Sequence, residues 1–398
     1  MQHQWPPIGH ETHKWVSNYP KGMLTKRQQE SIKPKYKAAV PLKISALDVE
    51  LPRDLQLRVE DLLLSLARFD TTMEAKPYSF PTMLLRSESA ASSQIENLTS
   101  SVKNIALAQI SNKAPANAQL VAGNVAAMHE ALKLPDRLSV TNILKIHKAL
   151  LGNSNVDYAG VIRDEQVWVG GSDLCPAGAL FVPVHHDKVK DCFKDFESYA
   201  KRTDVNAIVK AAVIHSQFET IHPFVDGNGR VGRTLLHKVL RGEDVLRTTT
   251  LPISAGLLHD VNGYYTALDS YRAGDPIAMV EQLVKAIELA VMIGSKTCIE
   301  VEAVLVDWEK QLTEPKTASI YKLLPLLVEQ PVVNSDLVAT RLSITTRAAN
   351  NLFEKAQGYG ILKKMGHEKR GVYYQAKDII DVFNKIADIQ NIRRMFHS

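Results

Sequence analysis

One short stretch concentrates residue types that could do chemistry on phosphates: His222-Pro-Phe-Val-Asp226-Gly-Asn-Gly-Arg230-Val-Gly-Arg233. Pro223 disfavours helical geometry at the residue before it, so a helix that begins near Val205 is predicted to end at His222. The imidazole then projects from a helix terminus into a loop. Because an imidazole titrates near neutral pH, it is suited to act as a general base.

The residues after the histidine predict an anion-binding loop. Gly227 and Gly229 permit the tight, partly left-handed turn in which successive N–H groups point inward. Asn228 adds a side-chain donor, and a second helix starting near Arg230 would direct its positive N-terminal end at the same point. Arg230 and Arg233 lie three residues apart, and each offers a planar fork to phosphate oxygens. The segment therefore predicts a polyphosphate site beside a histidine base.

Asp226 and two histidines bear on metal binding. Asp226 places a carboxylate where bound phosphates would otherwise meet only positive partners, which indicates a Mg²⁺ bridge. Glu219 and His222 have the spacing of a carboxylate–histidine metal pair, but a di-metal bundle needs a second such helix and we find no further Glu-x-x-His. His215 falls on the apolar face of the same helix, and we predict a hydrogen-bonded core histidine there.

Mainly helical structure must position these groups. From Leu51 to about Thr313, apolar residues recur at helical spacing, which predicts a helical bundle. The interval 161–184 breaks the pattern, because short apolar segments around Gly170 and Gly171 predict a β-hairpin. His185 and His186 follow in a loop, where we expect surface positions. Residues 1–45 are polar with scattered Trp, Pro and Lys, and they predict an irregular arm.

A change in composition near residues 313–316 predicts a further domain. Short helices are predicted over 320–328, 334–341 and 345–356, and strand-like residues then flank a loop at 366–371. This order is typical of a winged helix-turn-helix.

The third of these short helices has an amphipathic pattern. Its inward residues are predicted to be Ala349, Leu352, Phe353 and Ala356, and its outward residues Arg347, Asn350, Asn351 and Glu354. Residues 334–374 carry seven basic and three acidic side chains, so most of the chain's net charge of +5 lies there.

Composition excludes several classes of protein. The chain has 398 residues, of which 45% are hydrophobic and 23% charged, so it is neither disordered nor collagen-like nor a coiled coil. Cys175, Cys192 and Cys298 have no metal-type spacing and suit a reducing compartment. The first twenty residues lack the pattern of a signal peptide, and no apolar run approaches a membrane span. We expect a cytoplasmic protein with no membrane contact.

The segment from His222 to Arg233 resembles the core motif of the Fic family, HPFx(D/E)GNGRxxR, and agrees with it at every specified position. Residues 160–163, 181–183 and 264–268 add to the resemblance, which covers about residues 76–290. One departure is Val184-His185, where the family often has a further proline after its flap.

The resemblance implies a mainly α fold: a Fic-type helical bundle with a β-hairpin flap, followed by a small winged helix-turn-helix domain. The domains expected are an N-terminal arm (1–50), a helical region with an inhibitory helix (51–120), the Fic core (121–300) and the winged helix (315–398).

The activity that the resemblance implies is transfer of AMP from ATP to a Ser, Thr or Tyr hydroxyl of a protein, the chain itself included, with release of diphosphate. His222 would be the general base and Asp226 the ligand of Mg²⁺. The loop residues would form the anion hole, with one arginine on the β-phosphate and the other on the γ-phosphate; in order these are Gly227, Asn228, Gly229, Arg230 and Arg233.

Two further regions have implied roles in substrate binding. The flap backbone at Gln166, Val167, Trp168 and Val169 would align the target segment by strand addition. Tyr264 and Tyr265 would lie on the adenine side, with one of the two expected to be a core residue.

A second resemblance concerns regulation. Ser92-Ser-Gln-Ile-Glu96-Asn97 resembles the family's inhibitory helix motif, (S/T)xxxE(G/N), placed before the core. Glu96 would pair with Arg233 and remove the partner of the γ-phosphate, so that ATP binds in a non-productive pose.

Two other functions remain open at this point. The chain could be a DNA-binding transcriptional regulator whose Fic core senses a nucleotide, with DNA bound through the basic winged helix. It could also perform a related Fic reaction such as removal of AMP, for which Glu96 would position water. A homodimer is compatible with the sequence, although no apolar stripe defines an interface.

Overall fold

A computed structural model describes residues 5–17, 19–20, 22–76, 78, 80–135, 137–152, 154–366 and 371–387. The described chain is mainly helical with few strands, as predicted. Its α-helices are α1 (Lys26–Ser31), α2 (Arg53–Glu74), α3 (Phe80–Ile95), α4 (Val102–Ala108), α5 (Ala116–Lys133), α6 (Val140–Leu151), α7 (Val189–Ala200), α8 (Ala207–Ile221), α9 (Asn228–Gly242), α10 (Ile253–His259), α11 (Val261–Arg272), α12 (Ile277–Gln311), α13 (Ser319–Glu329), α14 (Ser335–Leu342), α15 (Thr346–Gly358) and α16 (Lys377–Ala387). Its strands are β1 (Gly9–Lys14), β2 (Lys35–Val40), β3 (Val332–Val333), β4 (Lys363–Met365) and β5 (Tyr373–Gln375).

The chain forms two compact units, each built from three separate segments. Unit 1 comprises Met1–Gln56, Glu130–Gly242 and Asn262–Leu283, and unit 2 comprises Leu57–His129, Glu243–Val261 and Val284–Ser398. No described helix combines the length and the apolar composition that a membrane crossing requires.

The core of unit 1 is a pair of helices, α8 and α9, with α7 packed on the first and α6 on the second. Every residue of α8 is buried, as are nearly all residues of α9. A helix of this kind has no apolar stripe with a polar opposite face, because residues on all of its faces contact protein. The predicted helix start near Val205 and end at His222 agree with the observed bounds of α8 within two residues at the start and one at the end.

The N-terminal arm is not irregular, so that prediction is wrong. Strand β1 pairs antiparallel with β2, from Gly9 opposite Val40 to Lys14 opposite Lys35. The sequence of β1 lacks apolar alternation, so it gives no strand signal of its own. Its partner β2 supplies the anchor: Tyr36 and Ala38 are buried.

The two strands predicted around the flap meet at a single antiparallel bridge, between Val169 and Phe181. Gly170 and Gly171 follow with φ of 69° and 80°, so the chain leaves the extended conformation directly after Val169. Beyond the bridge, the carbonyl of Val182 accepts a hydrogen bond from the Ala39 N–H at 3.0 Å. The second half of the flap therefore hydrogen-bonds to strand β2, and the two halves of the flap do not form a longer hairpin.

Unit 2 is organised around α3, which packs against α10, α13 and α16. Arg86, on α3, is buried and donates to the Glu329 carbonyl at 2.8 Å, to Gln330 Oε1 at 2.9 Å and to Gln109 Oε1 at 2.9 Å. Burial lowers its pKa to about 10, so the guanidinium stays charged near neutral pH. Through these hydrogen bonds, the charged Arg86 side chain connects α3 to the end of α13.

The C-terminal segment has the three helices and two strands that the sequence predicts, together with β3 and α16, which it does not predict. Helices α13, α14 and α15 are accompanied by a three-stranded antiparallel sheet in the order β3-β5-β4. The buried residues of α15 are Ala349, Leu352, Phe353 and Ala356, which confirms the predicted inward face. Residues 367–370 of the predicted loop, and 388–398, lie outside the described residues. The domain bounds and the assignment to the winged helix-turn-helix class stay predictions.

Candidate active site

The predicted base lies at the C-terminal end of α8. His222 adopts a left-handed conformation (φ 51°, ψ 64°), because the following Pro223 excludes the helical one. Its N–H still donates to the Phe218 carbonyl at 2.8 Å. The side chain is 19% exposed, and its Nδ1 lies 3.7 Å from Oε2 of the buried Glu219.

A buried arginine closes the same helix end. Arg163 Nε donates to the His222 carbonyl at 2.8 Å, and Nη2 donates to the carbonyls of Ile221 and Val184. The Arg163 N–H donates to the Pro223 carbonyl at 3.0 Å. Burial lowers the pKa of Arg163 to about 10, which leaves the charge in place near neutral pH. A cation suits the negative end of a helix, and this one holds the backbone from which the base projects.

The glycine loop has the predicted left-handed turn at Gly227 but not at Gly229, which lies in α9, and the asparagine has a different role. Gly227 has a φ of 83°, and a Cβ there would lie 2.8 Å from Leu150 Cδ2, so glycine alone fits. Asn228 Nδ2 donates to the Phe224 carbonyl at 2.8 Å, and its Oδ1 accepts from the Phe224 N–H at 2.9 Å. The side chain predicted to bind an anion is thus engaged in bracing the loop.

The Asp226 carboxylate shows that this loop accommodates an oxyanion. Its Oδ1 accepts the Gly227 N–H at 2.6 Å, and Arg230 Nη2 donates to its two oxygens at 3.0 and 3.1 Å. These donors are among the groups predicted for phosphate, and they lie at the start of α9. The Asp226 side chain remains 57% exposed, whereas that of Arg230 is 5% exposed. The Arg230 donor is therefore buried in the protein, whereas the Asp226 carboxylate that it binds is exposed to solvent.

A histidine of α6, for which the sequence predicted no role in the site, packs against the loop. His147 is fully buried on α6 and stacks on Phe224, with ring centroids 3.6 Å apart. Its Nδ1 accepts the Gly160 N–H at 3.0 Å, and its Nε2 lies 3.0 Å from the Asp226 carbonyl. Because an N–H can only donate and a carbonyl can only accept, the proton is on Nε2. Burial lowers the pKa of His147 to about 4, in agreement with a neutral ring.

Gly232 of α9 packs against side chains of α8. A Cβ at this position would lie 2.3 Å from Glu219 Oε1 and 3.2 Å from a His215 ring atom, so a larger residue would displace the Glu219 carboxylate. Arg233, the next residue of α9, is 1% exposed. The second predicted phosphate ligand is thus in the interior of unit 1.

His215 is a core histidine, as predicted. It is buried, and its Nε2 lies 2.9 Å from the Tyr264 hydroxyl. Burial lowers its pKa to about 4. Tyr264 is 1% exposed and Tyr265 is 45% exposed, so Tyr264 is the core member of the predicted adenine pair. Tyr265 has the exposure that a ligand contact would need.

The N-terminal arm braces the flap within unit 1. Gln166 is buried, and its Nε2 donates to the carbonyls of Val167 and Pro183 at 2.9 and 3.2 Å. Trp168 meets Trp15 edge to face, with ring centroids 5.3 Å apart. Val169 is 41% exposed beside this braced segment. The flap backbone proposed to align a target is therefore held by residues far away in sequence.

The predicted inhibitory residues lie at the end of α3, in unit 2. Ser92 is buried and Glu96 is exposed in the turn that follows the helix. Asn97 has a φ of 58°, its N–H donates to the Gln94 carbonyl at 2.9 Å, and the Leu98 N–H donates to the Ser93 carbonyl at 2.9 Å. These two bonds form a Schellman motif, which explains a Gly or Asn after the glutamate. The pairing of Glu96 with Arg233 stays a prediction.

Arg163 and His147 are the positioning residues that sequence reasoning did not assign. Arg163 stands in the 160–163 segment used for the family resemblance, and His147 stands in a helical apolar stripe. A histidine within an apolar stripe is a sequence signal that points to His147, whereas Arg163 lies 59 residues before its partner His222 and has no local signal of this kind.

Comparisons with known proteins agree with this geometry. The Fic/DOC family profile matches residues 137–240. Protein adenylyltransferase fic-1 of Caenorhabditis elegans is 30% identical over 159 residues, which are 39% of this chain and 28% of that protein. Protein adenylyltransferase Fic of Nematostella vectensis is 29% identical over 169 residues, 40% of this chain and 37% of that protein. The matches thus span well under half the length of these relatives.

A solved structure extends the likeness to the fold. A Fic family protein from Desulfovibrio desulfuricans G20 has a TM-score of 0.53 at 20% identity, covering 82% of this chain and 97% of that chain. The Fic-type helical fold predicted from the sequence is confirmed.

Proposed function

From the Fic/DOC family domain that residues 137–240 form, we infer that this chain is a self-inhibited protein adenylyltransferase, which transfers AMP from ATP to a hydroxyl side chain of a protein. The observation that carries the proposal is the oxyanion held at the start of α9, next to a histidine fixed at the end of α8. The Gly227 N–H and Arg230 bind the Asp226 carboxylate as they would bind a phosphate oxygen. Supporting it, the relatives just described are named protein adenylyltransferases.

His222 is the general base of the proposed reaction. Its imidazole takes the proton of the target hydroxyl while the hydroxyl oxygen forms a bond to the α-phosphorus of ATP. The bond from that phosphorus to the bridging oxygen of the β-phosphate breaks, and diphosphate leaves. Glu219, 3.7 Å from Nδ1, stabilises the imidazolium that results.

Phosphate binding is assigned to the loop and to α9. The backbone N–H groups of Gly227 to Gly229 and the helix N-terminus form the anion hole, with Arg230 on the β-phosphate and Arg233 on the γ-phosphate. Asn228 contributes by bracing the loop. Asp226 fits Mg²⁺, because an exposed carboxylate beside substrate phosphates is the usual protein ligand of this ion. When bound, Mg²⁺ would neutralise phosphate charge.

Target and inhibitor are assigned to two other elements. The backbone from Gln166 to Val169 aligns the target segment by strand addition, and Tyr265 lies on the adenine side. Glu96 pairs with Arg233 in the inhibited state and withholds the partner of the γ-phosphate. Removing Glu96 therefore frees Arg233 for productive ATP.

Label transfer tests the proposal. The full chain, Glu96→Gly and the Glu96→Gly, His222→Ala double variant are incubated with Mg²⁺ and with ATP labelled at the α- or the γ-phosphate. We expect α-label on protein, the chain itself included, to rise at least tenfold with Glu96→Gly and to vanish in the double variant. No γ-label should be transferred.

Two matched variants serve as controls. Glu74→Gly removes an exposed glutamate from the last position of α2, and His10→Ala removes an exposed histidine of β1. Both should behave as the parent. Transfer in the double variant equal to that of Glu96→Gly would contradict the assignment of the base. ATP binding without label in any variant would favour a nucleotide-sensing regulator that acts through its basic C-terminal segment.

A further inference from the structure

A cluster of metal-ligating side chains lies where the chain leaves the flap, outside the proposed AMP-transfer site. Residues 186–188 form one turn of 3-10 helix, closed by a hydrogen bond from the Lys188 N–H to the His185 carbonyl at 2.9 Å. On this turn one potential ligand atom each from His185, His186 and Asp187 lie within 4.8 Å of one another. The sequence predicted two surface histidines here, but their side chains are only 16% and 27% exposed.

The distances within this cluster fit a tetrahedral ion. His185 Nδ1 lies 3.3 Å from Asp187 Oδ2, and His186 Nε2 lies 3.4 Å from Asp187 Oδ1. A hydrogen bond between charged partners would be shorter, at about 2.7–2.9 Å. Zinc held at about 2.0–2.1 Å by nitrogen and oxygen has ligands about 3.3–3.4 Å apart along the edges of its tetrahedron. Each imidazole nitrogen is thus spaced from one oxygen of Asp187 as neighbouring zinc ligands are, and the two nitrogens face different oxygens of that carboxylate.

Neighbouring groups hold the two rings in place. His13 of β1 stacks on His185, with ring centroids 4.0 Å apart and an angle of 12° between the ring planes. The ring centroids of His186 and His185 are 4.1 Å apart. His13 Nε2 contacts Glu11 Oε1 at 2.9 Å, and Lys188 binds the same glutamate. Stacking of this kind restricts the orientation of the two imidazole rings.

The ligand set also decides the class of ion. His186 Nε2 is the nitrogen that faces Asp187, and the buried Nδ1 has no hydrogen-bond partner among the described residues. The Asp187 side chain is 75% exposed, which leaves the site open to an ion from solvent. Two imidazoles and one carboxylate suit zinc, whereas Mg²⁺ requires oxygen ligands.

We propose that His185, His186 and Asp187 bind one zinc ion, with the fourth position open to water. The ion joins the exit of the flap to strand β1 through the His13 stack, and it is separate from the Mg²⁺ assigned to Asp226.

Titration of the full chain with Zn²⁺ tests this site without reference to enzymatic activity. After treatment with a chelator, calorimetry should give one Zn²⁺ per chain, and Co²⁺ should give the visible absorption of a four-coordinate ion. His186→Ala and Asp187→Asn should each weaken Zn²⁺ binding at least tenfold. Circular dichroism of each variant shows whether the fold is kept.

Controls separate this site from other ligands. His10→Ala removes an exposed histidine from the face of β1 opposite His13, and it should bind Zn²⁺ as the parent does. Asp226→Asn should also leave Zn²⁺ binding unchanged. A parent that binds no Zn²⁺, or folded His186→Ala and Asp187→Asn variants with parental affinity, would overturn the proposal. Loss of binding in Asp226→Asn alone would assign the ion to the phosphate loop and overturn it as well.

Discussion

Arg163 and His147 show how single residues position a site in which they have no chemical role of their own. Arg163 holds the carbonyl of His222, and His147 holds the carbonyl of Asp226. Each therefore fixes the backbone of a residue that the proposed reaction uses. Their bonds go to the main chain, so their effect on the reaction passes through geometry.

A substitution of Arg163 tests this positioning role. Arg163→Met leaves the last carbonyls of α8 without their buried cation, and we expect the free energy of unfolding to fall by roughly 2–4 kcal/mol. In the Glu96→Gly background, kcat for AMP transfer per folded molecule should fall at least tenfold with less change in KM for ATP. Urea unfolding and label transfer measure the two effects.

Arg163→Lys keeps the charge but lacks the planar fork, so it should recover part of the loss. Arg27→Met, an exposed change on α1, is the matched control and should alter neither quantity. A normal kcat in folded Arg163→Met would show that the arginine only stabilises the fold.

The end of α3 is the element on which the proposed inhibition depends. Asn97 in its left-handed conformation closes the turn that follows α3, one residue after Glu96. Arg86 ties the body of the same helix to the end of α13. The glutamate of the proposed inhibition thus lies directly after a helix whose packing and C-terminal cap are both defined by specific contacts.

Changing Asn97 tests whether this terminus sets inhibition. A β-branched residue is strained at a φ of 58°, at a cost of about 1–2 kcal/mol, whereas glycine is not. Asn97→Val should unwind the turn and raise basal AMP transfer several-fold, towards the level of Glu96→Gly. Asn97→Gly, the matched control, should transfer at the parental rate.

Hydrogen exchange of α3 amides accompanies the label measurement. Faster exchange at the end of α3 in Asn97→Val, without increased transfer, would show that the position of Glu96 does not control activity.

At the scale of the whole molecule, two buried histidines make stability depend on pH. Burial lowers the pKa of His147 and of His215 from 6.5 to about 4. Above pH 6.5 neither the folded nor the unfolded chain binds these protons, so stability is unaffected. Between pH 6.5 and 4 the unfolded chain binds protons that the folded chain excludes, so acid favours unfolding.

Urea unfolding over this range checks the effect. We expect each histidine to lower the free energy of unfolding by up to about 1.4 kcal/mol per pH unit as the pH falls. His147→Gln and His215→Gln should each reduce the slope, although both are expected to lower stability at pH 7. An unchanged slope in both variants would contradict neutral burial of the two rings.

Local physics explains what the sequence alone determined. Pro223 ends α8 at His222, Gly227 makes the turn, and the spacing of apolar residues orients α15, because each effect acts over a few neighbouring residues. The motif therefore predicted the base, the loop and the arginines by number. The Asn97 cap is local in the same sense, and the inhibitory motif contained it.

Tertiary structure decided the features whose partners lie far apart along the chain. Arg163 and His222 are 59 residues apart, and His147 and Asp226 are 79 apart. Strand β1 is polar and forms only because it pairs with β2. The two halves of the flap share a single bridge because the second half hydrogen-bonds to Ala39. Such pairings depend on which surfaces meet after folding, and no periodicity or turn signal in the sequence specifies that.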